Sequence, residues 1–443
     1  MGITIVQKSD LSRPKPNPKT ALVLSGGGIS GGAFKLGGLQ ALSNFMLNRN
    51  IREFDIYVGV SAGALLATFL ANGISTEELA KSFEGKRGQI DPVQLSKIYS
   101  LNYIDFLKNP IQTAGDTLGW LPKLGLNFIM FNNIFRNEFR QMLFKVIKNP
   151  SYENAQELFR YCLQKSRSNI RKPSLPWGFI PNGIFSTDKF ERAIRRNLEK
   201  NDLHNNFKAL YKKTGRELYI FAMNLDNAER EVFGHDENNG VPISKAMQAS
   251  IAIPVFYKPV KIDGVDYVDG AVIKTTSMDL AVAKGADLII CYNPFRPFNH
   301  ETFCEKCEID ENRMQIAEDG MYAVFNQAMR TLLHTRLMHG IDTYIKNPDF
   351  KGDIILIEPT EYDADFFDMN PLAFWGRREA AKRGFQSVSA SIYGNYKKLR
   401  RILGAYGIKV DPKFAKPLPE FSDFPSKSPD NYIPRKDEGL AAV

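Results

Sequence analysis

The chain has 443 residues, 43% of them hydrophobic, and a formal net charge of +9. That apolar content excludes a disordered chain, and the length admits two or three average domains or one large α/β domain with insertions. The charge favours anionic partners such as lipid headgroups or nucleic acid, or reflects an ordinary cationic surface.

The first 18 residues read as a polar arm carrying prolines 14, 16 and 18. Residues 21–24 are a short apolar run ended by glycines, and Ala33, Phe34, Leu36, Leu39, Leu42 and Phe45 then recur at helical spacing. Residues 56–60 form a second buried strand and 62–70 a second helix. Strand–helix alternation of this kind implies a parallel sheet covered by helices. Ser75-Thr76-Glu77-Glu78 reads as a capping box.

Residues 85–185 are aromatic and lack a clear strand. Phe135, Phe139, Met142, Leu143 and Val146 keep helical spacing, with Phe106, Trp120, Phe128 and Phe131 upstream. This is read as a helical insertion, its rings forming the core of a helical subdomain; a lid or lipid-facing surface is the alternative. Sheet signals return at 217–223, a short helix at 244–251, and a hairpin at 257–268 around Asp263-Gly264. Residues 287–291 and 354–357 look like buried strands. Phe385, Val388, Ile392, Tyr396 and Leu399 mark a late helix, and from about Asp411 the chain is a proline-rich tail. The expected organisation is an arm at 1–18, a domain at 19–405 with an insertion at about 85–185, and a tail at 406–443.

Four cysteines, Cys162, Cys291, Cys304 and Cys307, fit a reducing compartment rather than a disulfide scaffold. The apolar start of the chain is too short for a signal peptide, and no stretch is long enough to span a bilayer. A cytoplasmic protein is expected, peripheral at membranes at most, unless it is exported by a route with no visible signal.

Three blocks carry chemistry. Gly59-Val60-Ser61-Ala62-Gly63 follows a predicted strand. A Gly-x-Ser-x-Gly turn exposes the serine hydroxyl, and the helix N-terminus after it favours developing negative charge. The bland alternative is a glycine-rich turn around a buried serine. Gly26, Gly27, Gly28, Gly31 and Gly32 lie between a strand and a helix, where backbone N–H groups can face an anion. A Walker loop would end in Gly-Lys-Ser/Thr, and Lys35 comes too late. Gly26-x-Gly28-x-x-Gly31 matches a dinucleotide fingerprint only nominally, since Asp55 precedes the second strand instead of ending it. Asp269-Gly270-Ala271 ends a third predicted strand and offers a base for the serine. Asp263 is explained by the turn, and Asp266 by an exposed strand position.

Of the histidines, His204, His235, His300, His334 and His339, none sits in a motif, although the last three follow Asp269 and leave Ser–Asp–His order formally open. His300, Cys304 and Cys307 have spacing that could begin a zinc site, but no second cysteine pair completes it.

These blocks resemble the patatin-like phospholipase family, in which a Gly-rich loop, a Gly-x-Ser-x-Gly elbow and an Asp-Gly-Gly/Ala block occur in this order. Ala249-Ser250-Ile251-Ala252-Ile253-Pro254 and Gly285-Ala286-Asp287 are similar to the surroundings of that family's aspartate. The resemblance covers about residues 19–72 and 217–295. It implies an α/β, three-layer fold with a mostly parallel central sheet flanked by helices. It implies Ser61 as nucleophile, Asp269 as its base, and backbone around Gly26, Gly27, Gly28 and Gly31 as the oxyanion hole. Gly59, Gly63, Gly270 and Ala271 would support the turns. The implied activity is hydrolysis of phospholipids, lysophospholipids or neutral acyl esters without metal or cofactor; no nucleic-acid partner is expected. Two departures bear on this. Ser30 stands where the family often has Arg or Lys, and Lys274-Thr275-Thr276-Ser277-Met278 replaces its usual Asn-x-Pro. Alternatives are a non-catalytic lipid-binding module, an acyltransferase using the same serine, and an ordinary α/β-hydrolase with a histidine. Basic clusters at Arg377, Arg378, Lys382 and Arg383, and at Lys397, Lys398, Arg400 and Arg401, suggest contact with anionic membrane or a solvated helix face.

Overall fold

Short apolar runs bounded by glycine are what strands covered on both faces look like. In the computed structural model they form the centre of a nine-stranded sheet. It describes residues 2–103, 105–106, 137–149, 151, 154, 157–158, 161, 180–307, 316–411 and 413. The strands are β1 (Ile3–Gln7), β2 (Thr20–Leu24), β3 (Ile56–Gly59), β4 (Glu217–Asn224), β5 (Arg230–Phe233), β6 (Val260–Ile262), β7 (Val265–Asp269), β8 (Leu288–Tyr292) and β9 (Asp353–Ile357). Their order is β1-β9-β8-β2-β3-β4-β7-β6, with β5 paired to β4. The five from β9 to β4 run parallel; β1, β5, β6 and β7 pair antiparallel at the margins.

Alternation of side chains along these strands divides the interior into two layers. Leu22, Leu24, Tyr57, Ile220, Ile290 and Tyr292 face one side. There they meet α1 (Gly28–Phe45), α2 (Ala62–Ala71), α3 (Thr76–Glu84), α4 (Asp188–Lys200), α5 (Ile243–Ser250) and α9 (Arg377–Ala405). Ala21, Val23, Ile56, Val58, Ile289 and Cys291 face the other side. That layer holds α6 (Met278–Ala283) and the C-terminal half of α8 (Gly320–Lys346). A short α7 (His300–Cys307) lies between β8 and α8 in the chain. The three layers agree with the fold class read from the sequence.

α1 and α9 cross at backbone contact. A Cβ on Gly37 would lie 1.8 Å from the Ala381 carbonyl oxygen, and one on Gly384 would lie 1.9 Å from that of Phe34. The Asp263-Gly264 turn has φ of 48° and 88°, the left-handed pair of a two-residue hairpin, and joins β6 to β7 as expected.

Three expectations change. Residues 3–7 are not part of a free arm: β1 adds antiparallel to β9 and buries Ile3 and Val6. Five residues are too few for their alternation to stand out. The tail does not begin at 406. Tyr406 and Ile408 are buried, and Leu47 N–H donates to the Lys409 carbonyl at 2.8 Å; residues 414–443 lie outside the described residues. At α3, Ser75 Oγ accepts from Glu78 N–H, but the Glu78 carboxylate turns to Lys81 Nζ and Gln89 N–H, so only half of the capping box forms.

The chain divides into one unit of residues 1–100 and 185–443 and another of 101–184. In the second unit, the helix Asn137–Lys148 has Phe139, Met142 and Val146 half-buried on one side and no fully buried residue. Phe106 is exposed, while Trp120, Phe128, Phe131 and Phe135 lie outside the described residues. Two short strands, Ser100–Leu101 and Gly183–Ser186, occur where none was expected. Among the described residues, no helix is long and apolar enough to cross a membrane.

Candidate active site

Parallel strands deliver their C-terminal ends to one edge, which is where open α/β sheets bind ligands. β2, β3 and the antiparallel β7 end there on the glycine loop, Ser61 and Asp269 respectively.

Ser61 joins β3 to α2 at φ 54° and ψ −129°, a conformation unfavourable for any residue with a Cβ. The turn is held from several sides. Ser61 N–H donates to Ser250 Oγ at 2.9 Å, and Val60 N–H to the Leu24 carbonyl at 3.1 Å. Gly63 must be glycine, because a Cβ there would lie 2.2 Å from the Leu24 carbonyl oxygen. A Cβ on Gly59 would likewise lie 2.6 Å from Ala64 Cα. Ser61 is only 3% exposed.

The glycine loop crosses in front of this turn. Gly27 and Gly28 have φ of 142° and 61°, and a Cβ on Gly26 would sit 3.2 Å from Ser61 Cβ. Ile29 and Ser30 N–H both donate to the Pro371 carbonyl, at 2.7 and 3.2 Å. Gly31 N–H donates to the Gly27 carbonyl at 3.0 Å, the first turn of α1, so it is not free to face an anion as expected. The N–H groups of Gly26, Gly27 and Gly28 have no acceptor among the described residues.

Asp269, 4% exposed, accepts Ala271 N–H at 2.9 Å, and the Ser61 hydroxyl is near enough to act on its carboxyl. Burial pushes its carboxyl up to about 6; the Ser61 hydroxyl, the bond from Ala271 N–H and the Lys35 charge only partly offset this. Gly270 packs on Phe221, whose carbonyl oxygen a Cβ would approach to 2.7 Å. The other two aspartates stay apart: Asp263 is in the turn and Asp266 pairs with Lys261 at 2.8 Å.

Among the described residues, no histidine bonds to Ser61 or Asp269. His334 meets Glu358 at 3.3 Å, His235 stacks on Tyr211, and His300 Nε2 lies 3.6 Å from Cys304 Sγ. No group of three metal-binding side chains is found among those residues.

Sequence reasoning missed Lys35. It lies on α1 at 0% exposure and donates to the carbonyls of Ser25 and Gly26. The available signal was its place in the apolar stripe between Phe34 and Leu36, where a solvated lysine does not fit.

Beside Ser61 opens an apolar cleft of about 690 Å³, partly open to solvent and lined by Ile29, Leu65, Phe190, Ile253 and Phe374 among others. The first basic cluster is largely tied to the protein itself. Arg377 donates to the Phe83 carbonyl, Arg378 to that of Glu84, and Arg383 pairs with Asp365 and Glu379. Lys397, Lys398, Arg400 and Arg401 are exposed on α9.

The sequence pattern of the Patatin-like phospholipase family matches residues 22–282, more than half of the chain. The chain belongs to that family. The chain is also 21% identical over 270 residues to the "Probable lipid hydrolase 463L" of Invertebrate iridescent virus 6, covering 60% of this chain and 65% of that protein's length. Among solved structures, VipD from Legionella pneumophila is similar at TM-score 0.37 and 16% identity, over 89% of this chain and 70% of that one. Human GIVD cytosolic phospholipase A2 is similar at TM-score 0.35 and 10% identity, over 90% of this chain and 59% of that one.

Proposed function

We propose that this patatin-like protein is a lipid acyl hydrolase of the phospholipase A or lysophospholipase type, working through a Ser61 acyl-enzyme. One observation carries the reading: Ser61, on a strained strand-to-helix turn, has its hydroxyl near enough to a buried Asp269 to act on that carboxyl, which stands near 6. A base with that affinity is ionised at neutral pH yet able to take a proton.

Asp269 takes the Ser61 proton as Oγ attacks the ester carbonyl carbon. The carbonyl oxygen becomes an oxyanion facing the N–H groups of Gly26, Gly27 and Gly28, which have no other acceptor among the described residues. Collapse breaks the ester C–O bond, and the leaving alkoxide receives the proton from Asp269. Water then attacks the acyl-enzyme, giving its proton to Asp269, and the second collapse returns that proton to Ser61 with release of the fatty acid. The apolar cleft beside Ser61 suits the acyl chain. The exposed cations of α9 suit an anionic membrane surface, and liposome pelleting with and without anionic lipid tests that contact.

The test of the activity is turnover of phospholipid, lysophospholipid and short acyl-ester substrates, with EDTA present. Wild type is compared with Ser61→Ala and Asp269→Asn. Turnover by wild type, abolished in both folded variants, is expected. Turnover that survives Ser61→Ala would sink the proposal.

A further inference from the structure

A lysine with no exposed surface is costly, because its ammonium group leaves water for a medium that solvates it poorly. A methionine would fill the same space on α1 without that cost. The charge of Lys35 therefore needs a use that packing does not supply. Its hydrogen bonds indicate one. Nζ is held by the Ser25 carbonyl and, at 2.6 Å, by the Gly26 carbonyl, successive peptides of the loop between β2 and α1. In a planar trans peptide, the C=O of one residue and the N–H of the next point in opposite directions. Two carbonyls fixed on Lys35 thus turn the N–H groups of Gly26 and Gly27 away from it. Those N–H groups have no acceptor among the described residues, and Gly26 lies against Ser61.

We propose that Lys35 is a positioning residue of the Ser61–Asp269 site: its ammonium group, gripping the Ser25 and Gly26 carbonyls from beneath, aims the loop's N–H groups at the oxyanion and supplies buried positive charge beside Asp269. The proposal rests on the hydrolase reading above. Charged and titratable neighbours enter from each element packed there. Asp269 at the end of β7 attracts the ammonium, and Cys291 on β8 acts in the same sense. Glu358, just after β9, acts on Cys291 and is itself held by Asn293 and by His334 of α8. Burial is the larger influence and pushes Lys35 down to about 7, with Asp269 pulling it back up. Near neutrality the ammonium charge is then lost as pH rises, while Asp269, at about 6, is already ionised.

The experiment measures two quantities across roughly pH 5 to 9: fluorophosphonate modification of Ser61, and kcat and KM on the best ester substrate. The full chain is used as wild type, Lys35→Met and Lys35→Gln, with folding read from melting temperature. The wild-type profile is expected to be bell-shaped, rising as Asp269 ionises and falling as Lys35 loses its proton. Lys35→Met should lower kcat about 100-fold, the scale of a lost oxyanion donor, with little change in KM. It should also abolish the alkaline limb and move the acid limb upward, since Asp269 loses a neighbouring cation. Lys35→Gln keeps an N–H donor without the charge, and should recover part of kcat but not the alkaline limb. A structural role alone would move neither limb.

A folded variant with the kcat and both limbs of wild type overturns the proposal. So does a wild-type rate that stays level to the alkaline end, a result that needs no variant to fold. Failure of wild type to be modified at Ser61 overturns the hydrolase reading itself. Normal modification with indifferent Lys35 variants overturns only the role of Lys35.

Discussion

Ser61 and Asp269 are each nearly buried and each held by several bonds, so their substitutions separate chemistry from folding. Ser61→Ala should lose at least ~10³-fold in kcat, as removal of a nucleophile does elsewhere, with KM barely changed. Asp269→Asn should lose a similar factor, checked by the same assay. The sign of its effect on stability is opposite to that of an ordinary salt-bridged aspartate. Its folded carboxyl stands near 6, above the unfolded value of 3.8. The native state therefore binds the proton more tightly, and folding stability falls as pH rises from about 4 through about 6. The neutral amide removes a cost of about 2–3 kcal/mol at pH 8, less whatever the altered contacts with Ser61 and Ala271 contribute. Thermal unfolding at pH 8 should therefore show Asp269→Asn no less stable than wild type. Activity in wild type should rise with an apparent pKa of about 6 on its acid side, set by the same carboxyl. Both proposed catalytic side chains were legible in the sequence, because the glycines that let the chain approach itself are written around them. Lys35 was missed: its place between Phe34 and Leu36 signals burial, but the sequence does not say which carbonyls its ammonium group reaches.

At the scale of elements, α1 carries both the site and the scaffold. Its first turn hangs from the Pro371 carbonyl, and its middle crosses α9 with glycine on each side. A methyl group at Gly37 or Gly384 would sit under 2 Å from a carbonyl oxygen, so the helices must separate to admit it. Gly384→Ala should destabilise by about 1–3 kcal/mol, as overpacking typically does, read from the midpoint of urea unfolding. Substitution at Gly404, a glycine of the same helix α9 with open space around its Cα, is the control and should be near neutral. Strand and helix identities from β2 to α2 followed from periodicity, and so did the hairpin, whose Asp-Gly turn requires two left-handed residues. β1 escaped notice because its two buried side chains gain their partners from β9, some 350 residues away.

At the scale of the whole molecule, the two ends of the described chain are joined through one buried carboxylate. Asp353, at the start of β9, accepts Lys8 and Ser9 N–H at 2.8 and 2.9 Å, the Ser9 hydroxyl at 2.6 Å and the Tyr406 hydroxyl at 3.0 Å. Removing it would take the acceptor from the Lys8 and Ser9 N–H groups and the Ser9 hydroxyl, while the Tyr406 hydroxyl keeps the Asp287 carbonyl at 3.0 Å. Asp353→Ala should cost about 3 kcal/mol or more, whereas Tyr406→Phe, which removes one donor, should cost about 1 kcal/mol; chemical denaturation compares them. Neither should change kcat at a temperature where both variants are folded, since Asp353 starts β9 whereas the site gathers at the opposite, C-terminal ends of the strands.

The sequence by itself determined the family and the layered α/β class, and it put the proposed nucleophile and aspartate at strand ends. Each of those is local: an apolar run, a glycine pattern, a residue at a strand end. The tertiary structure alone decided three things. Gly31 N–H is consumed within α1, so the candidate oxyanion donors are Gly26, Gly27 and Gly28. Residues 3–7 and Tyr406 belong to the core. Lys35 is buried beneath the glycine loop, with Asp269 among the charges acting on it. All three depend on which groups distant segments bring within hydrogen-bond reach, and on the burial that sets the worth of a charge there. Neither quantity is a property of neighbours along the chain.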